Sequence, residues 1–377
     1  EDFRLALRSL ERHEWDEMLG SLNYASTSLP VSADVDYYIG EAYRFKGQNP
    51  QAITAYEQAI KKDSSFAAAY LGRARARMAL GSANFRAARA DLQTAINLDP
   101  SLHEAWLETA RLDLLQDKPE DALEALKQVE SLAPGSTLLH IYRAQTFLRL
   151  GRSEDALAIA KLALASDITS LEAYRLVGEC ATAAGSPEAA REPLELYLQQ
   201  IDDDEQAKIW LADAYAQTGQ PEEARSLYDQ VLAINTRSFS AWFGRGSLSY
   251  AEGKYPDAES DLRKALVFNN RSYEAHSTLA KTLFALEDYG NADQSFSMAQ
   301  AFSASTKQDA EVHYWRGQAL EHLNQPVAAR RDYQALLSLE NDSGDIPEEW
   351  LQFARDRLQT VTSATATRSV LAATPTP

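Results

Sequence analysis

The fold class that the sequence predicts is all-α: an α-solenoid of helical hairpins repeated in tandem. Three observations carry it. Apolar residues recur at helical spacing in short segments such as Ser240–Ala251 and Tyr255–Phe268. Small residues return with a period of 34 along most of the chain. Glycine and proline punctuate that period at two fixed places, one ending a helix and one starting the next.

With Gly246 as the eighth position of its unit, the eighth positions are Ala6, Gly40, Ala74, Ala110, Ala144, Gly178, Ala212, Gly246, Ala280 and Gly317. All are Gly or Ala. The register needs extra residues near Ser82–Asn84 and at Lys307–Asp309. The twentieth position holds Ala in every unit except the first, which has Met18. Small residues at both places allow two helix axes to cross at the usual ~8–10 Å. Met18 is expected to be tolerated because little packs against a terminal unit. The twenty-seventh position is mostly Ala or Val, with Tyr197 and Leu336 as the large exceptions. Bulky residues at the fourth position, among them Tyr70, Trp106, Tyr174 and Trp242, are expected to wedge between helices, with Gly246 beneath Trp242. His140, His276 and His313 take the same place in three units.

The elements follow in order. Gly47, Gly81, Gly151, Gly185, Gly219 and Gly253 should end first helices, where a positive φ is wanted. Pro50, Pro119, Pro187, Pro221, Pro256 and Pro326 fall in or near the first turn of second helices, where the missing N–H costs little. Pro30, Pro100 and Pro134 stop second helices. The predicted units are 1–32, 33–66, 67–102, 103–136, 137–170, 171–204, 205–238, 239–272, 273–306 and 310–343. A helix in 344–361, with Trp350, Leu351, Phe353, Ala354 and Leu358 on one face, is expected to close the array, since an open solenoid end exposes core. Residues 362–377 are rich in Thr, Ala and Pro without helical periodicity, which reads as a disordered tail.

In residues 1–343 this pattern resembles the tetratricopeptide repeat family. The resemblance implies a right-handed superhelix whose concave groove, lined by first helices, binds peptides or protein surfaces. It also places the groove at the second, fifth, ninth, twelfth and thirteenth positions of each first helix. Two specialisations of the family are disfavoured. A carboxylate clamp cannot be assembled, because the fifth positions run Tyr37, Leu71, Leu107, Ile141, Arg175 and the ninth Glu41, Arg75, Arg111, Gln145, Glu179. An asparagine ladder is absent from the sixth positions.

Composition narrows the function. A net charge of −18 disfavours nucleic acid and anionic membrane surfaces as partners, since phosphate binding needs a basic footprint. One cysteine, Cys180, excludes an intramolecular disulfide and a cysteine-based zinc site. No apolar run reaches the length of a membrane span. The chain starts at Glu1, which reads as a trimmed or mature segment. Together with the Thr/Pro tail this leans towards an exported or cell-envelope location over a cytoplasmic one.

No catalytic or nucleotide-binding motif is present, so no enzyme activity, cofactor or metal is expected. The wedge histidines read as packing residues, Cys180 as a buried inert thiol, and Asp202–Glu205 as a solvated turn.

The candidate site is the groove. In the N-terminal half an apolar floor of Leu71, Leu107 and Ile141, beside Tyr37, Arg75 and Arg111, is expected to hold a peptide with an acidic group. The competing expectation is that these residues pack on neighbouring helices or pair with Glu41 and Glu104. The C-terminal half offers Phe243, Tyr250, Lys281, Phe284 and Tyr314, with Ser247 on the same face as the first two. The expected function is a non-enzymatic scaffold for a protein or peptide. The alternative is an accessory or targeting segment of a larger enzyme or envelope complex. Oligomeric state is not legible.

Overall fold

The computed structural model describes residues 12, 14–28, 32–340 and 346–359. Among these residues every regular element is helical, and the chain divides into two compact units at Tyr197/Leu198. The expected first helix of the first repeat and the tail 362–377 lie outside the described residues.

The first unit contains α1 (Trp15–Ser28), α2 (Ala33–Phe45), α3 (Asn49–Lys62), α4 (Ala67–Ala79), α5 (Phe85–Leu98), α6 (His103–Leu115), α7 (Pro119–Leu132), α8 (Thr137–Arg149), α9 (Ser153–Ser166), α10 (Leu171–Ala183) and α11 (Pro187–Leu198). The second contains α12 (Glu205–Gln217), α13 (Pro221–Ile234), α14 (Phe239–Ala251), α15 (Tyr255–Phe268), α16 (Tyr273–Ala285), α17 (Tyr289–Ala301), α18 (Thr306–His322) and α19 (Pro326–Ser338). A last helix, α20, spans 348–359. The two register corrections have physical forms. Ser82–Asn84 is a turn of 3₁₀ helix before α5, and Lys307–Asp309 extends α18 to 17 residues, where α16 has 13.

Within each unit, successive first helices pack against one another: α2 on α4, α4 on α6, α6 on α8, α8 on α10, and likewise α12 on α14, α14 on α16 and α16 on α18. Second helices make no comparable contact with the next second helix. Closer approach on the first-helix side makes that side the inner face of each unit.

Small residues permit the crossings, but their partner is not the wedge aromatic. A Cβ on Gly246 would lie 2.9 Å from Leu262 Cγ, and one on Gly178 would lie 2.3 Å from Leu194 Cδ2. Gly40 and Gly317 meet Tyr56 and Tyr333 in the same way. All four partners hold the twenty-fourth position of their repeat. Met18, expected to be loosely packed, is instead fully buried with Leu22, Val35 and Ala42.

The wedge residues carry a second task. Trp242 Nε1 donates to the Thr236 carbonyl at 2.9 Å, Trp106 Nε1 to Pro100 at 3.3 Å, and the Tyr70 hydroxyl to Ser64 at 3.3 Å. His276 Nε2 makes the same bond to Asn270, at 3.0 Å. Each reaches a carbonyl six residues back, in the turn between repeats, and relieves an unpaired acceptor there. Entry to the following helix is fixed by Ser136, Ser170, Asp204, Ser238 and Ser272, whose side chains accept the N–H three residues on.

The hairpin turns use positive φ at one fixed place. All six predicted glycines adopt it, and Asp117, Glu287 and Asn324 adopt it in three repeats that lack glycine there, with φ of 56°, 62° and 56°. At the C-terminal end Leu351 and Ala354 of α20 are buried against α18 and α19, with Trp350, Phe353 and Leu358 at the edge.

Candidate functional site on the inner helix faces

In the first unit the residues named from sequence divide into two groups. Leu71, Leu107 and Ile141 are only 5%, 4% and 2% exposed. The expectation of an open apolar floor is corrected here: the fifth position points into the contact between first helices, so these side chains are core. Tyr37 is half-buried among Tyr38, Tyr56 and Phe66, with ring centroids 5.1–6.0 Å away. Its hydroxyl is raised above the ordinary range by burial first and by Glu41 second.

Arg75 and Arg111 do meet, through a residue that the sequence reading passed over. Arg75 Nε donates to Glu108 Oε1 at 2.9 Å, and Arg111 Nε donates to Glu108 Oε2 at 2.7 Å. The expected pairing with Glu41 and Glu104 is corrected: Glu41 is taken by Arg44 and by the Tyr56 hydroxyl, and Glu104 by His103. Glu108 is buried, so one carboxylate sits between two guanidiniums and the cluster keeps a surplus positive charge. Tyr142 lies beside it, its hydroxyl pushed up to about 12 by burial and then by Glu108. Arg75 is the ninth position of its repeat and Glu108 the sixth of the next, and the period alone does not pair them.

Next to Arg111 lies a cavity of about 380 Å³. It is lined by Arg111, Leu114, Leu115 and Asp117, by Gln145, Leu148 and Arg149, and by Glu179. Except for Asp117, these are ninth, twelfth and thirteenth positions of three consecutive first helices, α6, α8 and α10. Leu115 is 53% exposed, so the apolar part of the wall faces solvent. Arg149 and Asp117 form a surface pair at 3.2 Å across its rim.

In the second unit, Lys281 is neutralised by Glu311, which also accepts from the Tyr273 hydroxyl. Lysine and the tyrosine bond hold the Glu311 carboxyl below its ordinary range although burial works against them. Phe284 is enclosed by Tyr289, Trp315 and His322 at 5.3–5.7 Å. Tyr314 stacks on Trp350 of α20 at 5.1 Å and meets Phe353 edge-on. Its expected place as an open groove residue is therefore corrected, because the last helix covers it. Phe243 and Tyr250 of α14 are half-buried and pack against the core shared by α15 to α18, with Ser247 between them in sequence.

Among the described residues no three His, Cys, Asp or Glu side chains are grouped to hold a metal ion. Cys180 is buried, and burial pushes its thiol up to about 12. Asp204 caps α12 by accepting from the Ala207 N–H at 3.0 Å. No described helix is long and apolar enough to cross a membrane.

Comparison with known proteins agrees with this geometry. One family model, described as a TPR repeat, matches residues 40–81. Another, described as tetratricopeptide repeat, matches 76–137, 107–170, 143–205, 209–275 and 277–346. Human DnaJ homolog subfamily C member 7 is 21% identical over 327 residues, covering 79% of this chain and 65% of its own length. The chain thus spans just under two thirds of that relative. Among solved structures, a tetratricopeptide repeat protein from Parabacteroides merdae superposes with a TM-score of 0.52 at 18% identity, covering 68% of this chain and 98% of that one. A chain of the APC/C hetero-tetramer Cut9-Hcn1 superposes with a TM-score of 0.53 at 12% identity, covering 95% and 82%. At these identities the likeness is one of fold.

Proposed function

The chain belongs to the tetratricopeptide repeat family, and from that premise we propose that it is a non-catalytic scaffold whose first unit binds a peptide or protein surface at the inner face of α6, α8 and α10. Proteins of this family generally mediate protein–protein interaction. One observation carries the choice of face: Arg75 and Arg111 share the single carboxylate of Glu108 beside the cavity that Arg111 lines. The surplus guanidinium charge suits a carboxylate of the partner, held by charge-assisted hydrogen bonds. Leu114, Leu115 and Leu148 offer apolar contact for a neighbouring side chain of the same segment. The chain's net charge of −18 argues against nucleic acid in this role.

Affinity capture with the wild-type chain and with Arg111→Gln tests this reading. Losing one charge-assisted contact should weaken partner retention roughly tenfold or more. Recovery of the same partners in the same yield would remove this face from the proposal.

A further inference from the structure

Three repeats put a histidine at the wedge position, and the three rings end differently. His313 has both nitrogens paired, Nδ1 with Asp332 at 2.8 Å and Nε2 with Gln300 at 3.2 Å. His140 Nδ1 has no partner but is sealed from solvent. His276 bonds through Nε2 to the Asn270 carbonyl at 3.0 Å. A carbonyl only accepts, so Nε2 carries the proton and Nδ1 of the neutral ring is left as an acceptor. Among the described residues that nitrogen is neither hydrogen-bonded nor sealed, although the residue as a whole is only 8% exposed.

The His276 ring lines a cavity of about 350 Å³ on the second-helix side of the second unit. Leu266 and Val267 of α15, Leu279 of α16 and Met298 of α17 supply its apolar surface. Val267 and Met298 are 76% and 44% exposed, whereas Leu279 is core. The space exists because α15 and α17 do not pack on each other as first helices do. Among the described residues no Asp or Glu lines it, and its arginine, Arg263, is paired with Glu259 at 2.8 Å. In a chain of net charge −18 this is an uncharged, largely apolar recess that holds an unsatisfied acceptor.

Such a recess suits an aromatic side chain that carries a donor. A ring covers the apolar surface, a methionine sulfur makes favourable contact with it, and the donor finds the partner that it needs when buried. Tryptophan and tyrosine are also the side chains that most often anchor an interface by filling a pocket. We propose that this recess binds a tryptophan or tyrosine side chain of a partner polypeptide, with the ring against Val267 and Met298 and the indole N–H or phenol O–H donating to His276 Nδ1. Phenylalanine fills the same space but leaves the acceptor unpaired. The site lies in the other unit and on second helices, so it does not depend on the face proposed for the first unit.

The test passes degenerate nonapeptide libraries, with Trp, 1-methyltryptophan, Tyr, Phe or Gly fixed at the centre, over the immobilised full chain. Trp should be retained about fivefold above 1-methyltryptophan, which lacks the N–H, and Tyr about fivefold above Phe. Val267→Asp puts a charge against the ring at an exposed position and should bring Trp and Tyr down to the Gly level, with a thermal melt to show that the variant is folded. Equal retention within both pairs by wild type overturns the proposal, because Nδ1 would then receive no donor. So does undiminished retention of Trp and Tyr by a folded Val267→Asp. Arg111→Gln, which tests the first unit, should leave both preferences unchanged. A preference lost in that variant would place aromatic capture in the first unit and overturn the assignment to this one.

Discussion

Arg245 of α14 forks onto Asp261 of α15, with Nε 2.7 Å from Oδ2 and Nη2 2.9 Å from Oδ1. The same fork joins Arg73 to Asp91 and Arg316 to Asp332, each from the seventh to the twenty-third position of a repeat. In two of the three the arginine also reaches an acid on the preceding second helix, Asp229 or Glu57. Arg245 and Arg73 further lie over the wedge rings of Trp242 and Tyr70, at 4.8 and 5.5 Å. One guanidinium thus ties together both helices of its hairpin and the hairpin before it.

Breaking this clamp should be costly. Arg245→Ala leaves the Asp261 carboxylate buried without its partner, for which the range is about 3–5 kcal/mol. The low end, about 3 kcal/mol, is expected here because Lys264 stands 3.7 Å from Asp261 and gives partial compensation. Arg245→Lys should lose less but not nothing, since an ammonium cannot match the two-pronged geometry. Denaturant unfolding of both variants measures this. Wild-type midpoints for both would show that the fork contributes no net stability.

The crossing at Gly246 has little slack. An added methyl would meet Leu262 Cγ at 2.9 Å and Leu262 N at 3.2 Å, and backbone cannot rotate away. Gly246→Ala should therefore cost about 1–3 kcal/mol by overpacking, although alanine is the better helix former. Thermal melts decide between the two effects. A higher melting temperature for Gly246→Ala would mean that the hairpin opens to accept the methyl.

Glu287 makes the opposite prediction. It occupies the turn position held by glycine in six other repeats, at φ 62°. A side chain with a Cβ pays steric strain there, partly offset by the lower entropy of its unfolded chain relative to glycine. Its side chain is exposed. Glu287→Gly is expected to stabilise the protein by about 1 kcal/mol, read as a raised melting temperature. An unchanged or lowered value would show that the strain is relieved elsewhere in the turn.

Most of the architecture was legible in the sequence because backbone geometry requires particular residues. A glycine at positive φ, a proline in a first turn and a small residue at a crossing leave few alternatives, so Gly47 to Gly253 and Ala52 to Ala292 mark the register directly. The inner face was less legible, because position alone does not say whether a side chain is buried or paired. Leu71 and Tyr314 share a position, yet one is core between first helices and the other lies under α20. Arg75 and Lys281 look like free cations until Glu108 and Glu311 are brought to them from the next first helix, offsets of 33 and 30 residues that a 34-residue period does not announce. Asp213 reads in sequence as one more polar inner-face residue, and only the structure gives it the Tyr228 hydroxyl as partner.

The Asp213 carboxyl, which accepts from the Tyr228 hydroxyl, makes stability depend on pH. Burial raises the Asp213 carboxyl above its ordinary value, and the Tyr228 hydrogen bond only partly opposes this. The folded state therefore holds the proton more tightly than the unfolded chain, whose aspartate titrates near 3.9. With more protons bound in the native state, stability falls as pH rises from about 4 through the folded value, because ionising Asp213 in place is penalised. The amide introduced by Asp213→Asn cannot ionise but still accepts from Tyr228. The difference in melting temperature between Asp213→Asn and wild type should thus be near zero at pH 4 and favour the variant at pH 8. A wild type that is the more stable at pH 8 would mean that the carboxylate is already compensated when ionised.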